Sequence, residues 1–178
     1  VELQDAATSD PADWLLHDMV LLSSGDNIEP LGNGALRDNL AAFKADGGRL
    51  LVEGGEIAYD MHYDDEAFLE NTLHVTDWNG DSSGDVTVAE PDHPVMNMPN
   101  VITGPIDNAY SGYGDADRAP AASDAVMAGA WTSYGSLASV VCYDDNDNLA
   151  AGQFVFFLFN YSAMGAERLE LLQNAVNW

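Results

Sequence analysis

Two glutamates bracket a glycine pair in Arg49-Leu50-Leu51-Val52-Glu53-Gly54-Gly55-Glu56. Carboxylates held this close can share a proton or hold a cation. With a histidine such as His74 in reach, Glu53 and Glu56 would supply the acid and base of a hydrolase or lyase. The structural alternative is a turn in which a glutamate accepts backbone N–H bonds while the glycines supply backbone angles that other residues resist. A second cluster, Asp77-Trp78-Asn79-Gly80-Asp81-Ser82-Ser83-Gly84-Asp85, carries oxygen ligands at alternate positions, as the start of a calcium loop does. Its sixth position is Ser82 instead of glycine and its twelfth is Val88 instead of a bidentate acid, which excludes a helix-loop-helix site. A looser calcium site through Asp77, Asn79, Asp81 and Asp85 stands against a plain solvated turn. Asp144-Asp145-Asn146-Asp147-Asn148 carries less, because Asp and Asn are also what a tight hairpin turn requires.

The remaining reactive residue types are scattered. His17, His62, His74 and His93 show no His-x-x-x-His spacing and have no cysteine partner, which disfavours zinc. The single Cys142 lies in the apolar run Ala138–Tyr143, so no intrachain disulfide exists and a buried structural thiol is expected. Trp78, Tyr110, Tyr113, Trp131 and Tyr134 fall in or near a loop-rich stretch, where aromatic rings stack on sugars or anchor loops and core.

These residues need elements to position them. Leu50, Leu51 and Val52 form a short apolar run punctuated on both sides, as expected of a parallel strand covered on both faces. Before it, Leu36, Leu40 and Phe43 recur at i, i+4 and i+7, Asn33 can cap the helix they define, and Gly47-Gly48 stops it. Met19 to Leu22 reads as another strand, ending in the turn Ser23-Ser24-Gly25-Asp26-Asn27. Strand, turn, helix, glycine pair and strand make a right-handed crossover that puts residues 23–27 and 53–56 on one rim. Asp10 or Ser9 caps a short helix at Pro11, residues 67–71 form another, and 73–75, 86–88 and 101–103 read as brief strands in a turn-rich middle. Residues 138–143 and 153–159 form a hairpin, followed by a helix from about Ala166 whose apolar pattern runs through Leu169, Leu172 and Val176.

Composition sets bounds. A chain of 178 residues with 47% hydrophobic content has the core of one domain spanning 1–178. Five basic against thirty acidic residues give a net charge of −25, with Lys44 the only lysine, which makes nucleic acid and anionic membranes poor partners. No apolar run has the length of a membrane span. Such acidity suits either saline or extracellular surroundings or the gathering of divalent cations. The start at Val1 and the uncapped end at Trp178 suggest a domain excised from a larger protein.

The order Asp18-Met19-Val20-Leu21-Leu22-Ser23-Ser24-Gly25, Gly47-Gly48 through Glu56, Leu73-His74-Val75, and Phe156-Phe157-Leu158-Phe159-Asn160-Tyr161 before Arg168-Leu169 and Leu172-Gln173-Asn174 resembles the class I glutamine amidotransferase-like superfamily. The likeness is to the non-catalytic members found in large bacterial surface and secreted proteins. It implies a three-layer, flavodoxin-like α/β fold, mostly parallel, with a C-terminal antiparallel hairpin and a loop-rich middle. It also implies an extracellular or cell-surface location. Catalytic members place a cysteine at the strand-to-helix elbow, yet neither cysteine nor serine lies between Arg49 and Tyr59, and Cys142 lacks such an elbow. The family's usual first strand and helix are also absent before Val1. A non-enzymatic accessory or interaction domain follows, with no resident cofactor and with other domains of the parent protein or a surface ligand as partners. The alternatives are the Glu53/Glu56 hydrolase or lyase and a calcium-assisted carbohydrate-binding module.

Overall fold

A computed structural model describes residues 2–6, 8–25, 27–108, 116–144 and 152–178. In chain order the elements are α1 (Pro11–Trp14), β1 (Val20–Ser23), α2 (Gly34–Ala45), β2 (Leu50–Glu53), α3 (Ile57–Asp64), α4 (Glu66–Asn71), β3 (Asp81–Ser82), β4 (Val86–Val88), α5 (Pro94–Asn97), β5 (Ala116–Asp117), β6 (Val126–Trp131), β7 (Tyr134–Tyr143), β8 (Phe154–Phe157) and α6 (Arg168–Asn177), with a 3-10 turn at Tyr161–Ala163.

The crossover that opens the chain forms as its residue pattern requires. Asn33 caps α2 by accepting the N–H of Ala35, and Leu36, Leu40 and Phe43 are buried beneath it. Gly47, at φ +89°, ends the helix in the left-handed conformation that glycine adopts freely. β2 follows with all four residues buried and pairs in parallel with β1 in the register Val20↔Leu50 to Ser23↔Glu53. Asp10 caps α1, as expected.

The main sheet has six strands in the order β1-β2-β8-β7-β6-β4. Here the expectation of a mostly parallel, flavodoxin-like sheet is corrected. β1·β2 and β2·β8 are parallel, but β8·β7, β7·β6 and β6·β4 are antiparallel, so the sheet is mixed and its larger part antiparallel. Chain length between strands is the reason. A parallel return needs a crossover of a dozen or more residues, whereas only Thr132 and Ser133 separate β6 from β7. β6 itself, Val-Met-Ala-Gly-Ala-Trp, has no counterpart among the strands expected from sequence.

Local corrections follow the same logic. Residues 73–75 are not a strand: His74 takes φ +53°, and only Val75 makes an isolated bridge, to Ala121. Residues 101–103 are irregular, with the N–H of Ile102 bonded to the carbonyl of Met96. In α6 the expected apolar face is only partly inward, with Leu172 packed half-buried against the core. Leu169 is 65% and Val176 44% exposed, while Leu171, Asn174 and Ala175 are buried. Asn174 takes the inward position because its amide bonds the carbonyls of Val95 and Asn100 and accepts the N–H of Asn100.

The sheet separates two cores. One packs Leu40, Phe43, Leu50, Val52, Ile57 and Phe156 with the α2–α4 side. The other packs Leu51, Val140, Phe157, Val95 and Leu171 with α5 and α6. Among the described residues no helix is long and apolar enough to cross a membrane.

Candidate functional site at the Glu53 turn

The rim expected from sequence is present. Glu53, at the carboxyl end of β2, is buried, and both its oxygens are committed: one accepts the Ser23 hydroxyl and the other the N–H of Tyr161 at 2.8 Å. Ser24 adds a bond from its hydroxyl to the Glu53 carbonyl at 3.2 Å. The glycines do not serve as left-handed hinges, since the positive-φ glycines among the described residues are Gly25, Gly47 and Gly80. Gly54 is instead required by close approach: a Cβ there would stand 1.7 Å from Ser24 Oγ and 2.9 Å from Ile57 Cδ1. This backbone passes from strand to helix without the strained φ of a nucleophile elbow.

The first turn of α3 carries the decisive feature. Helix N-terminal N–H groups attract an anion. Here the anion comes from within the chain, because Asp117 Oδ2 accepts the N–H of Ala58 at 2.7 Å and of Tyr59 at 3.3 Å, while Oδ1 accepts the Trp78 indole N–H at 2.8 Å. Asp117 is fully buried. Burial pushes its pKa well above the usual carboxylate range and nearby Glu56 pushes the same way, against the pull of the N–H donors. Nothing in the sequence around Asp117 signals this role, since it sits in a two-residue strand within a turn-rich stretch.

His74 does not join the glutamates. It stacks on Tyr143 with ring centroids 3.8 Å apart, and Tyr143 pairs with Phe154 at the start of β8. Glu53 is in register with Phe157, at the far end of the same strand. The two thus lie about 10 Å apart along the strand direction at ~3.3 Å per residue. His74 belongs to a separate buried network. Its Nδ1 donates to Asp124 Oδ2 at 3.1 Å, and its Nε2 contacts the Lys44 ammonium, which also donates to the carbonyls of Asn71 and Thr72, each at 3.3 Å. Burial lowers the Lys44 pKa to about 8, against the pull of Asp124. Burial, and then the Lys44 charge, lower His74 to about 4, so the ring is neutral at pH 7. Lys44 was legible as core-facing, because it continues the Leu36, Leu40, Phe43 stripe at i+8.

The candidate calcium residues are spread over different partners. Asp77 pairs with His62 at 3.0 Å, and Asp85 Oδ1 accepts the N–H of Asn108 at 3.2 Å. The carbonyls of Asn79 and Asp81 accept the Arg118 guanidinium, each at 2.9 Å, so a cation from the chain itself sits on this loop. Among the described residues no three His, Cys, Asp or Glu side chains gather as metal ligands. Cys142 is fully buried and its thiol pKa is pushed up by burial. Trp131 is core, Tyr134 stacks under Arg118, and Tyr110, Tyr113 and residues 145–148 lie outside the described residues. Two shallow cavities, of about 410 Å³ beside His93 and about 200 Å³ between α1 and α2, both lie away from the Glu53 turn.

Fold and site together define an α/β domain with a mixed six-stranded sheet whose strand-to-helix turn after Glu53 carries no nucleophile. The sequence matches no family model and no curated protein. Solved structures do share the fold. A protein of Bacteroides uniformis described as ThuA-like aligns at 14% identity with a TM-score of 0.60, over 99% of this chain and 74% of its own. A cytoplasmic protein of Salmonella typhimurium aligns at 17% identity with a TM-score of 0.60, over 94% of this chain and 74% of its own. At 14% and 17% identity these likenesses are likenesses of fold alone. The same comparison corrects the expected extracellular or cell-surface location, since a protein of this fold is described as cytoplasmic. Physically, the acidic surface governs solubility and association and is no address.

Proposed function

We propose that this chain is a non-enzymatic interaction domain of amidotransferase-like fold, an accessory unit that contacts other domains of a larger protein or a separate ligand. One observation carries the reading: Asp117 fills the N-terminus of α3, where an elbow nucleophile would find its stabilising N–H groups. The commitment of both Glu53 oxygens and the separation of His74 from the rim point the same way. At a net charge of −25 the partner is neither nucleic acid nor an anionic membrane. The test is turnover. Against a panel of amides, esters and glycosides the chain is expected to be inactive, and activity that disappears in Glu56→Gln would reject the proposal.

A further inference from the structure

Beyond the elbow the rim continues into an aromatic surface that the mechanism of the turn does not use. Tyr59 and Tyr63, one turn apart on α3, have ring centroids 5.1 Å apart, and Tyr59 lies 5.0 Å from Trp78. His62 packs on Tyr63 at 4.7 Å. Tyr59 is 39% and Tyr63 65% exposed. The surface is already ordered, because Trp78 is fixed by its indole bond to Asp117 and His62 by Asp77. A partner would immobilise little that is not already immobile. A carboxylate edges it: the Asp77 side chain, paired with His62, is 51% exposed.

The chain shows what such rings take. Lys44 sits 4.6 Å from the Tyr143 ring, Arg118 3.9 Å from Tyr134 and Arg168 5.7 Å from Tyr161. Its two other cations are committed elsewhere, Arg37 to Asp65 and Arg49 to the Val176 carbonyl. Among the described residues no lysine or arginine stacks on Tyr59, Tyr63 or Trp78; His62, paired with Asp77, packs on Tyr63 and Trp78. A chain with a net charge of −25 and five lysine and arginine residues thus presents acid-edged aromatic faces without a lysine or arginine of its own.

We infer that the Tyr59–Tyr63–Trp78 surface docks an arginine-bearing peptide segment of a partner protein. A guanidinium plane can stack on Tyr63 or Tyr59 while its fork reaches Asp77, a combination that a spherical ammonium does not match. This inference rests on the interaction-domain reading and gives that reading a place and a partner chemistry.

The test is a titration of the full chain, at 0.15 M salt, with acetyl-(Gly-Arg)3-amide followed by NMR of the Trp indole and His62 signals. Parallel titrations use the lysine peptide, the citrulline peptide and maltohexaose. Saturable binding is expected for the arginine peptide, weaker for lysine and absent for citrulline. Tyr59→Ser with Tyr63→Ser is expected to weaken it about five- to thirtyfold, from the usual strength of exposed cation–π contacts. Leu169→Ser, remote on α6, is expected to leave it unchanged. Should the double variant not fold, Tyr63→Ser alone is expected to weaken binding about two- to fivefold. Non-saturable binding, undiminished affinity in the tyrosine variants, or equal binding of the citrulline peptide or the oligosaccharide would overturn the inference. Such a failure without substrate turnover leaves the non-enzymatic reading standing, whereas turnover sensitive to Glu56→Gln rejects that reading whatever the titration shows.

Discussion

Acid should loosen this protein at one histidine. His74 is almost fully buried and neutral, wedged between Tyr143, the Lys44 ammonium and Asp124, with its pKa lowered from 6.5 to about 4. Above pH 6.5 neither the folded nor the unfolded chain protonates this ring. Between about 6.5 and 4 the unfolded chain binds a proton that the folded chain refuses, so stability falls as pH falls through that window. Each pKa unit is worth about 1.4 kcal/mol, so the loss is on the order of 3 kcal/mol and is nearly complete by pH 4. Lys44 stays charged throughout, because its own lowered pKa of about 8 lies above the window. At the alkaline end the sign is the same: from about 8 to 10.5 the folded lysine is neutral while the unfolded one is charged, so stability should again rise as pH rises.

The thirty acidic residues also titrate on the acid side, so a single stability curve would not isolate one ring. The difference between two curves does. His74→Asn is the suitable partner, since asparagine tolerates the left-handed backbone found here at φ +53° and its amide can still donate to Asp124 without titrating. Urea unfolding of both proteins at pH 7, 6, 5 and 4.5 is the assay. At pH 7 the variant should be the less stable, having lost the ring stack. Its deficit should then shrink by about 2 to 3 kcal/mol by pH 4.5. Parallel curves would refute the buried-neutral account of His74.

The other expectations concern the turn and its surroundings. Gly54→Ala should destabilise by about 1–3 kcal/mol, the usual cost of overpacking, because its Cβ would meet Ser24 Oγ; a urea midpoint equal to that of the parent would show that the turn can relax. Asp117→Ala strands the N–H groups of Ala58, Tyr59 and Trp78 in a buried place, and at roughly 1–3 kcal/mol for each unsatisfied group the loss should exceed that of Gly54→Ala in the same melts. Cys142 should resist a thiol reagent in native buffer and react at once in denaturant, since burial holds it as a thiol; rapid native labelling would contradict its place in β7.

The parts of the fold that sequence revealed are those where one local pattern has one solution. Leu36, Leu40 and Phe43 with the Asn33 cap and the Gly47 stop admit only a helix, and Leu50 to Val52 admits only a buried strand. Sheet direction is different, because it depends on which strands meet. The fully apolar Phe154–Phe157 suits a centre strand of either direction, and β8 is parallel to β2 on one side and antiparallel to β7 on the other. β6 was missed because glycine and two alanines in Val-Met-Ala-Gly-Ala-Trp weaken its strand propensity. At the site, the pairing of Ser23 and Ser24 with Glu53 follows from the parallel crossover and was foreseeable. Asp117 was not, because its partners Ala58 and Trp78 lie far from it in sequence.

A bend without a nucleophile keeps its shape for structural reasons. A strand that turns into a helix leaves N–H groups exposed at the helix start and a tight backbone passage just before it, whether or not chemistry takes place there. In this chain the passage is held by Gly54 against Ser24, and the helix start by a carboxylate from a strand about sixty residues away. Burying that carboxylate is unfavourable by itself and is offset only in part by the three N–H donors that converge on it. Both Glu53 oxygens and both Asp117 oxygens thus have partners within the chain. The neighbouring tyrosines then follow as the part of the rim still open to a partner, since Asp117 fixes Trp78 through its indole and Trp78 in turn packs against Tyr59.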